Sequence, residues 1–262
     1  MIKFVYFLSF LTLFTCNAQN DQKSRKDQII QEHIYDCADK INFYKNLDEY
    51  QECIDEGIKK DSTIAYLWQQ KAMPYFKLKQ YETGMKHLDK AVILDSKRYL
   101  AYRAFIKCIF VKDYKDAIID FQECINNYGD SFEMDHSYTF YIGLSHLQLK
   151  DFIKAESSFE ETISKKKKMF SEAHHLDLFY LGVTKYELGK YQEAITIFDE
   201  ALNQYPKFSD VIYYKALALN KINDNNLESS KLLKLAKEYA SKGFTINEDN
   251  AIYEDYPYKV KW

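Results

Sequence analysis

Six small residues recur along the chain at nearly even steps: Ala38, Ala72, Ala104, Gly143, Gly182 and Ala216, separated by 34, 32, 39, 39 and 34 residues. A period near 34 is the length of one supersecondary unit, and a unit that cannot bury its apolar face alone must stack on its neighbours. The two 39-residue steps place longer helix ends or loops at Asn126 to Asp135 and at Lys165 to His174. Only 7 Gly and 3 Pro occur in 262 residues, so long helices with short connections are expected. An all-β chain would need many more turn residues. With 47% hydrophobic and 29% charged residues, the chain has enough apolar material to fold.

The segment Leu178 to Pro206, LFYLGVTKYELGKYQEAITIFDEALNQYP, shows what one unit contains. Leu181-Gly182 is followed by Gly189-x-Tyr191, then Ala194, Phe198, Ala201 and Pro206. Gly182 and Ala194 are small enough for two antiparallel helices to approach closely, and Tyr191 and Phe198 fill the space between them. Gly189 marks the turn. This pattern resembles the tetratricopeptide repeat; Lys185, where an aromatic is usual, and Leu178, where a Trp is usual, depart from it. The same offsets hold for Trp68, Ala72, Tyr75, Tyr81, Gly84, Leu88 and Ala91, and again for Gly143, Phe152, Ala155 and Phe159. Tyr114, Ala117, Phe121 and Cys124 match the second half of a further unit; Ala38, Leu47, Ile54 and Gly57 make a weaker first one, and Ala216 opens a sixth with a long turn around Asn223 to Asn226. The resemblance implies an all-α, right-handed solenoid of about six antiparallel helix hairpins forming one continuous domain. The units span about 31–64, 65–98, 97–135, 136–174, 175–208 and 209–247. Pro74, inside the first helix of the second unit, is expected to kink it.

The N-terminus reads as an export signal. A positive start, Met1-Ile2-Lys3, precedes an apolar run of 11 residues, Phe4 to Phe14. A membrane span needs about 20, so residues 1–18 fit a signal peptide. Leu13-Phe14-Thr15-Cys16 resembles a lipobox ending at a lipidated Cys16, and ordinary cleavage after Ala18 is the alternative. The mature chain is then a periplasmic or outer-membrane-anchored lipoprotein, or a secreted protein, with no transmembrane helix. Residues 19–30 read as a polar tether. Residues 248–262 lack helical periodicity, and Tyr253, Tyr256, Tyr258 and Trp262 are expected to fold back onto the last helix.

In the repeat family the first helix of each hairpin lines a concave groove, and its fifth position usually points into it. Carried over, this gives Tyr35, Gln69, Ala101, Phe140, Phe179 and Tyr213. Position nine gives Asp39, Met73, Phe105, Leu144, Val183 and Leu217. Aromatics in line suit an extended or helical peptide. Each of Phe140, Phe179 and Tyr213 is followed by another aromatic, Tyr141, Tyr180 and Tyr214, and helix neighbours lie about 100° apart, so only one of each pair faces the groove. A groove that is simply filled is the alternative. The Lys, Asn and Arg with which one subtype clamps a C-terminal carboxylate are replaced here by Tyr35, Asp39, Gln69 and Met73.

No phosphate loop, nucleophile elbow, zinc-protease helix or dinucleotide loop occurs. The six His are scattered, so no metal site and no cofactor are expected. Net charge is −3, and the one dense basic run, Lys165 to Lys168, suits a helix C-terminus, so no nucleic-acid partner is expected. Cys37 and Cys53, like Cys108 and Cys124, are 16 residues apart. Packed helix axes lie about 8–10 Å apart, farther than the roughly 7 Å a disulfide allows, so small buried hydrophobes are the expected role; a bridge between the two helices of one hairpin, which an oxidising compartment permits, is the alternative. The functional expectation is a non-catalytic adaptor of the bacterial cell envelope that holds a protein or peptide partner in its groove. Glycan binding on the aromatics and self-association are the alternatives.

Overall fold

The computed structural model describes residues 22–224 and 226–262, and the expected export signal with Cys16 and Ala18 lies outside them. The described residues fall into two compact units that meet at Tyr99 and Leu100. Both are built of α-helices packed in consecutive pairs across short turns.

The first unit contains α1 (residues 22–30), α2 (Leu47–Lys60), α3 (Ala65–Lys77) and α4 (Tyr81–Leu94). Residues 22–30, expected as a polar tether, are helical because their C-terminal end is apolar. Ile29 and Ile34 join Ile54, Leu67 and Tyr50 in the core. The first helix then widens into a π turn at Gln31–Tyr35 and breaks before a 3₁₀ turn at Ala38–Lys40. That break brings Cys37 out of helical register, and its Cα comes within 5.8 Å of Cys53 Cα, where the two form a disulfide. The expectation of two unbridged cysteines fails at this pair because it assumed two regular helices. Cys108 and Cys124 are free and buried. Helix α3 runs on through Pro74.

The second unit begins within α5 (Ser96–Ile106), which widens into a π turn at Lys107–Val111. It continues with α6 (Tyr114–Tyr128), α7 (Tyr138–Gln148), α8 (Phe152–Phe170), α9 (His175–Glu187), α10 (Tyr191–Gln204), α11 (Ser209–Ile222) and α12 (Leu227–Ser241). Asn226 caps α12 by accepting from the backbone N–H groups of Glu228 and Ser229. The two long repeat steps have separate causes. The first holds a two-stranded hairpin, β1 (Phe132–Glu133) and β2 (His136–Ser137), with Phe132 opposite Ser137 and Glu133 opposite His136. The second is the 19-residue α8, the longest helix described.

The hairpin turns repeat at atomic detail. Lys79, Lys112, Lys150 and Gly189 occupy one position in four hairpins, with φ of 61°, 63°, 62° and 75°. The next residue in each donates its N–H to a carbonyl five residues back: Gln80 to Tyr75, Asp113 to Lys107 across the wider π turn (six back), Asp151 to His146 and Lys190 to Lys185. This left-handed closure satisfies carbonyls that a helix end leaves open. Only one of the four positions is glycine.

Close approach explains the small residues. A Cβ added to Gly182 would collide with the ring of Phe198 on α10, and one added to Gly84 would collide with the ring of Phe76 on α3. Lys185, the departure from the repeat pattern, is buried and ion-paired. Its Nζ lies 2.6 Å from Glu156, 2.9 Å from Glu160 and 2.9 Å from Glu193. Three carboxylates thus replace the packing that an aromatic would supply.

Candidate functional site

The face expected to bind partners is formed by the first helix of each hairpin, and the two units present it differently. In the second unit, Phe140, Leu144, Phe179 and Val183 are 0% exposed and Phe105 is 1% exposed, so these side chains belong to the core. The Phe140 ring lies 5.7 Å from both Phe159 and Tyr180, edge-on to each. Phe179 packs on Phe208 and Tyr214. Ala101 is buried too, while Tyr213 and Leu217 are half-buried. The neighbouring tyrosines carry the polar tips on this face. Tyr180 stacks on Phe159 at 5.9 Å and Tyr141 on Phe121 at 5.2 Å.

The C-terminal residues cover this face. They were expected on the last helix, and they lie instead on first helices because two buried polar groups there need partners. The Tyr180 hydroxyl donates to the Pro257 carbonyl at 3.0 Å. The Val260 N–H donates to Asp210 Oδ1 at 2.7 Å. Asp210 is fully buried; burial raises its carboxyl above the ordinary value, and the Val260 and Ile246 N–H groups oppose that rise. Further attachments run along the segment. The Ser209 N–H donates to the Phe244 carbonyl at 2.8 Å. Glu248 faces His136 at 3.4 Å, and Glu254 faces Lys112 at 3.4 Å. Tyr258 packs against Tyr214, and Trp262 against Tyr213. Tyr256 is buried, and burial pushes its hydroxyl well above the ordinary tyrosine value.

The first unit keeps this face accessible. Tyr35 is 48% exposed, Gln69 is 9% exposed, Met73 is half-buried and Asp39 is exposed. Burial, with the Tyr35 hydroxyl nearby, raises the Tyr66 hydroxyl above the ordinary tyrosine value. Beside Tyr66 opens a recess of about 500 Å³, walled by α1 and by the starts of α3 and α5, with Lys23, Lys26, Asp27, Ile64 and Tyr99 in its lining. Tyr66 and the α1 residues were not singled out from sequence. Tyr66 stands six residues before Ala72, a position the fifth-and-ninth rule passes over.

The histidines also come together in a way their spacing conceals. His136 on β2, His174 before α9 and Asp177 in α9 place ligating atoms within 4.8 Å of one another. Each histidine stands at the end of one of the two long repeat steps, and that coincidence was the signal available in the sequence.

Among the described residues, no helix is long and apolar enough to cross a membrane. No curated protein matches the sequence. A family profile described as "Tetratricopeptide repeat" matches residues 178–207. Crystal structures share the fold. YrrB, described as a tetratricopeptide-repeat protein with an unusual peptide-binding site, is 18% identical, with 73% of this chain and 94% of that one covered at a TM-score of 0.52. PilW, described as a widely conserved type IV pilus biogenesis factor, is 13% identical over 83% of this chain and 91% of that one, with a TM-score of 0.59. Pseudomonas aeruginosa pilF is 15% identical over 84% and 94%, with a TM-score of 0.60. At these identities the likeness is one of fold. The chain thus carries a tetratricopeptide repeat in α9 and α10, and its paired helices share the fold of these structures along most of its length.

Proposed function

We propose that the protein is a non-catalytic adaptor that holds a segment of a partner protein on its first-helix face, with the first unit as the docking region. The observation that carries this reading is the second unit's own C-terminal segment. That face accommodates an irregular, turn-containing segment, bound through the Tyr180 hydroxyl, the buried Asp210 carboxylate and ring contacts. The first unit offers the same face with Tyr35 and Tyr66 beside a recess large enough for several side chains. The peptide-binding site for which YrrB is described favours the same use of the fold.

The adaptor is placed in the bacterial cell envelope by the sequence reading of residues 1–18, with Cys16 as lipid anchor or Ala18 as cleavage point. The pilus biogenesis factor among its structural relatives is in keeping with that location.

A partner should be captured by crosslinking from native membranes and lost with Tyr35→Glu plus Tyr66→Glu, while far-UV circular dichroism of that variant stays helical. Capture of the same proteins by wild type and by the folded variant would remove the first-unit face as the docking region. Fatty-acid labelling that disappears in Cys16→Ala is expected if the lipid anchor is used.

A further inference from the structure

The two long repeat steps converge on one buried point. The first ends in the β hairpin that carries His136, and the second ends at His174, three residues ahead of Asp177 in α9. His136 and Asp177 are both fully buried. His136 Nδ1 lies 3.0 Å from Asp177 Oδ1. His174 Nδ1 is buried and without a hydrogen-bond partner, and His136 Nε2 faces Glu248 Oε1 at 3.4 Å. Lys166 Nζ sits 2.8 Å from Asp177 Oδ2, which leaves Oδ1 as the oxygen facing the imidazoles.

His136, Asp177, Lys166 and Glu248 pair with one another, and the His174 ring beside them has no such partner at Nδ1. A buried ring nitrogen with nothing to bond costs free energy.

We propose that His136, His174 and Asp177 bind a first-row divalent transition-metal ion of the zinc class, with Glu248 accepting from the second ring nitrogen of His136. Imidazole and carboxylate ligands suit such an ion. Zinc holds its ligands at about 2.0–2.2 Å. The His136–Asp177 pair already has a separation that suits two ligands of one ion, and a rotation of His174 closes the set by roughly 1.5 Å at its widest. A metal-bound histidine commonly gives its other N–H to a carboxylate, the place Glu248 occupies. An opening of about 300 Å³, lined by Asp135, Lys166, His174 and Gln204, leads to His174. Glu248 belongs to the C-terminal segment, so the ion would strengthen the seating of that segment on the second unit.

The test uses the full chain, stripped with a chelator and titrated with Zn(II) or Co(II). One ion per chain is expected, with a Co(II) ligand-field band in the visible and no thiolate-to-metal band. His174→Ala, chosen because His174 is only partly buried, should weaken binding by more than about tenfold, and Glu248→Gln by about ten- to a hundredfold. His87→Ala, in the first unit, should bind as wild type does. Zn(II) should raise the thermal midpoint of wild type and, at the same concentration, raise that of a folded His174→Ala by less, which separates loss of a ligand from loss of fold. Absence of stoichiometric binding by the stripped wild type overturns the proposal, and so does equal affinity in a folded His174→Ala.

Discussion

The two units treat the same helix face in opposite ways. The first holds its irregular opening hairpin with the Cys37–Cys53 disulfide and leaves a recess beside Tyr66. The second has two free buried cysteines and covers its face with its own C-terminal segment. The difference traces to which groups stand on the first helices. Six residues before the small marker, α11 has Asp210 and α3 has Tyr66; two before it, α9 has Tyr180 and α3 has Gln70. Asp210 and Tyr180 are buried groups that take their hydrogen bonds from the C-terminal segment. Tyr66 is met by Tyr35 and Gln70 donates to Gln69 at 3.1 Å, so the first unit satisfies these positions locally. One repeat scaffold thus yields a filled face or a free one, according to whether it places on that face a buried polar group that needs a distant partner.

Each unit has one tryptophan, Trp68 or Trp262, so the two can be followed separately after replacing the other with Phe. The largest effect is expected from Phe159→Ala. Phe159 is fully buried, stacks on Tyr180 and packs on Phe140, and its loss should cost about 3–5 kcal/mol in the Trp262-reported unfolding of the second unit. An equal loss at Trp68 would break the separation of the two units. Removing the bridge with Cys37→Ser plus Cys53→Ser should cost the first unit about 3 kcal/mol, given its 16-residue separation, and leave the second unit's transition in place.

Gly84→Ala and Gly182→Ala probe the one feature the units share. Each pushes a Cβ into a phenylalanine ring, so each should destabilise its own unit by about 1–3 kcal/mol. Glu156→Gln should act through pH. Burial raises the Glu156 carboxyl, but Lys185 and Lys190 outweigh it and hold the group below its ordinary 4.5. A carboxylate lowered in this way stabilises the fold above its unfolded value and loses that contribution as pH falls through the folded one. Wild type should therefore exceed the variant at pH 7, and the gap should close below about pH 4.5 in denaturant titrations read at Trp262. The smallest effect is at the turns. Lys79→Gly in the first unit and Lys150→Gly in the second should each stabilise by up to about 1 kcal/mol, because glycine adopts the left-handed conformation without steric cost.

The repeat was legible because close helix approach leaves a mark on single residues. Gly182 and Phe198 can be read together from their spacing alone, and the ring does fill the place of the missing Cβ. The 39-residue steps were legible as extra length, and the contents of that length, a β hairpin and a long α8, were not. Lys185 stood out as a departure from the pattern; its reason lies in Glu156, 29 residues earlier in the chain, on a different helix. The fifth-position aromatics Phe140 and Phe179 follow the family's offset, yet here they pack inward, and the neighbouring Tyr180 meets the C-terminal segment. That segment could not be placed from sequence, because its anchors are 50 to 77 residues away. The Cys37–Cys53 bridge escaped for a related reason. It depends on a break in the first helix that no glycine or proline announces.

The contrast between a filled and a free face is tested most directly by a photoreactive phenylalanine analogue placed singly at Tyr66 and at Tyr213, followed by irradiation in living cells. Position 66 is expected to crosslink a separate protein, and position 213 the chain's own residues near Trp262. Capture of the separate protein at 213, with none at 66, would contradict it.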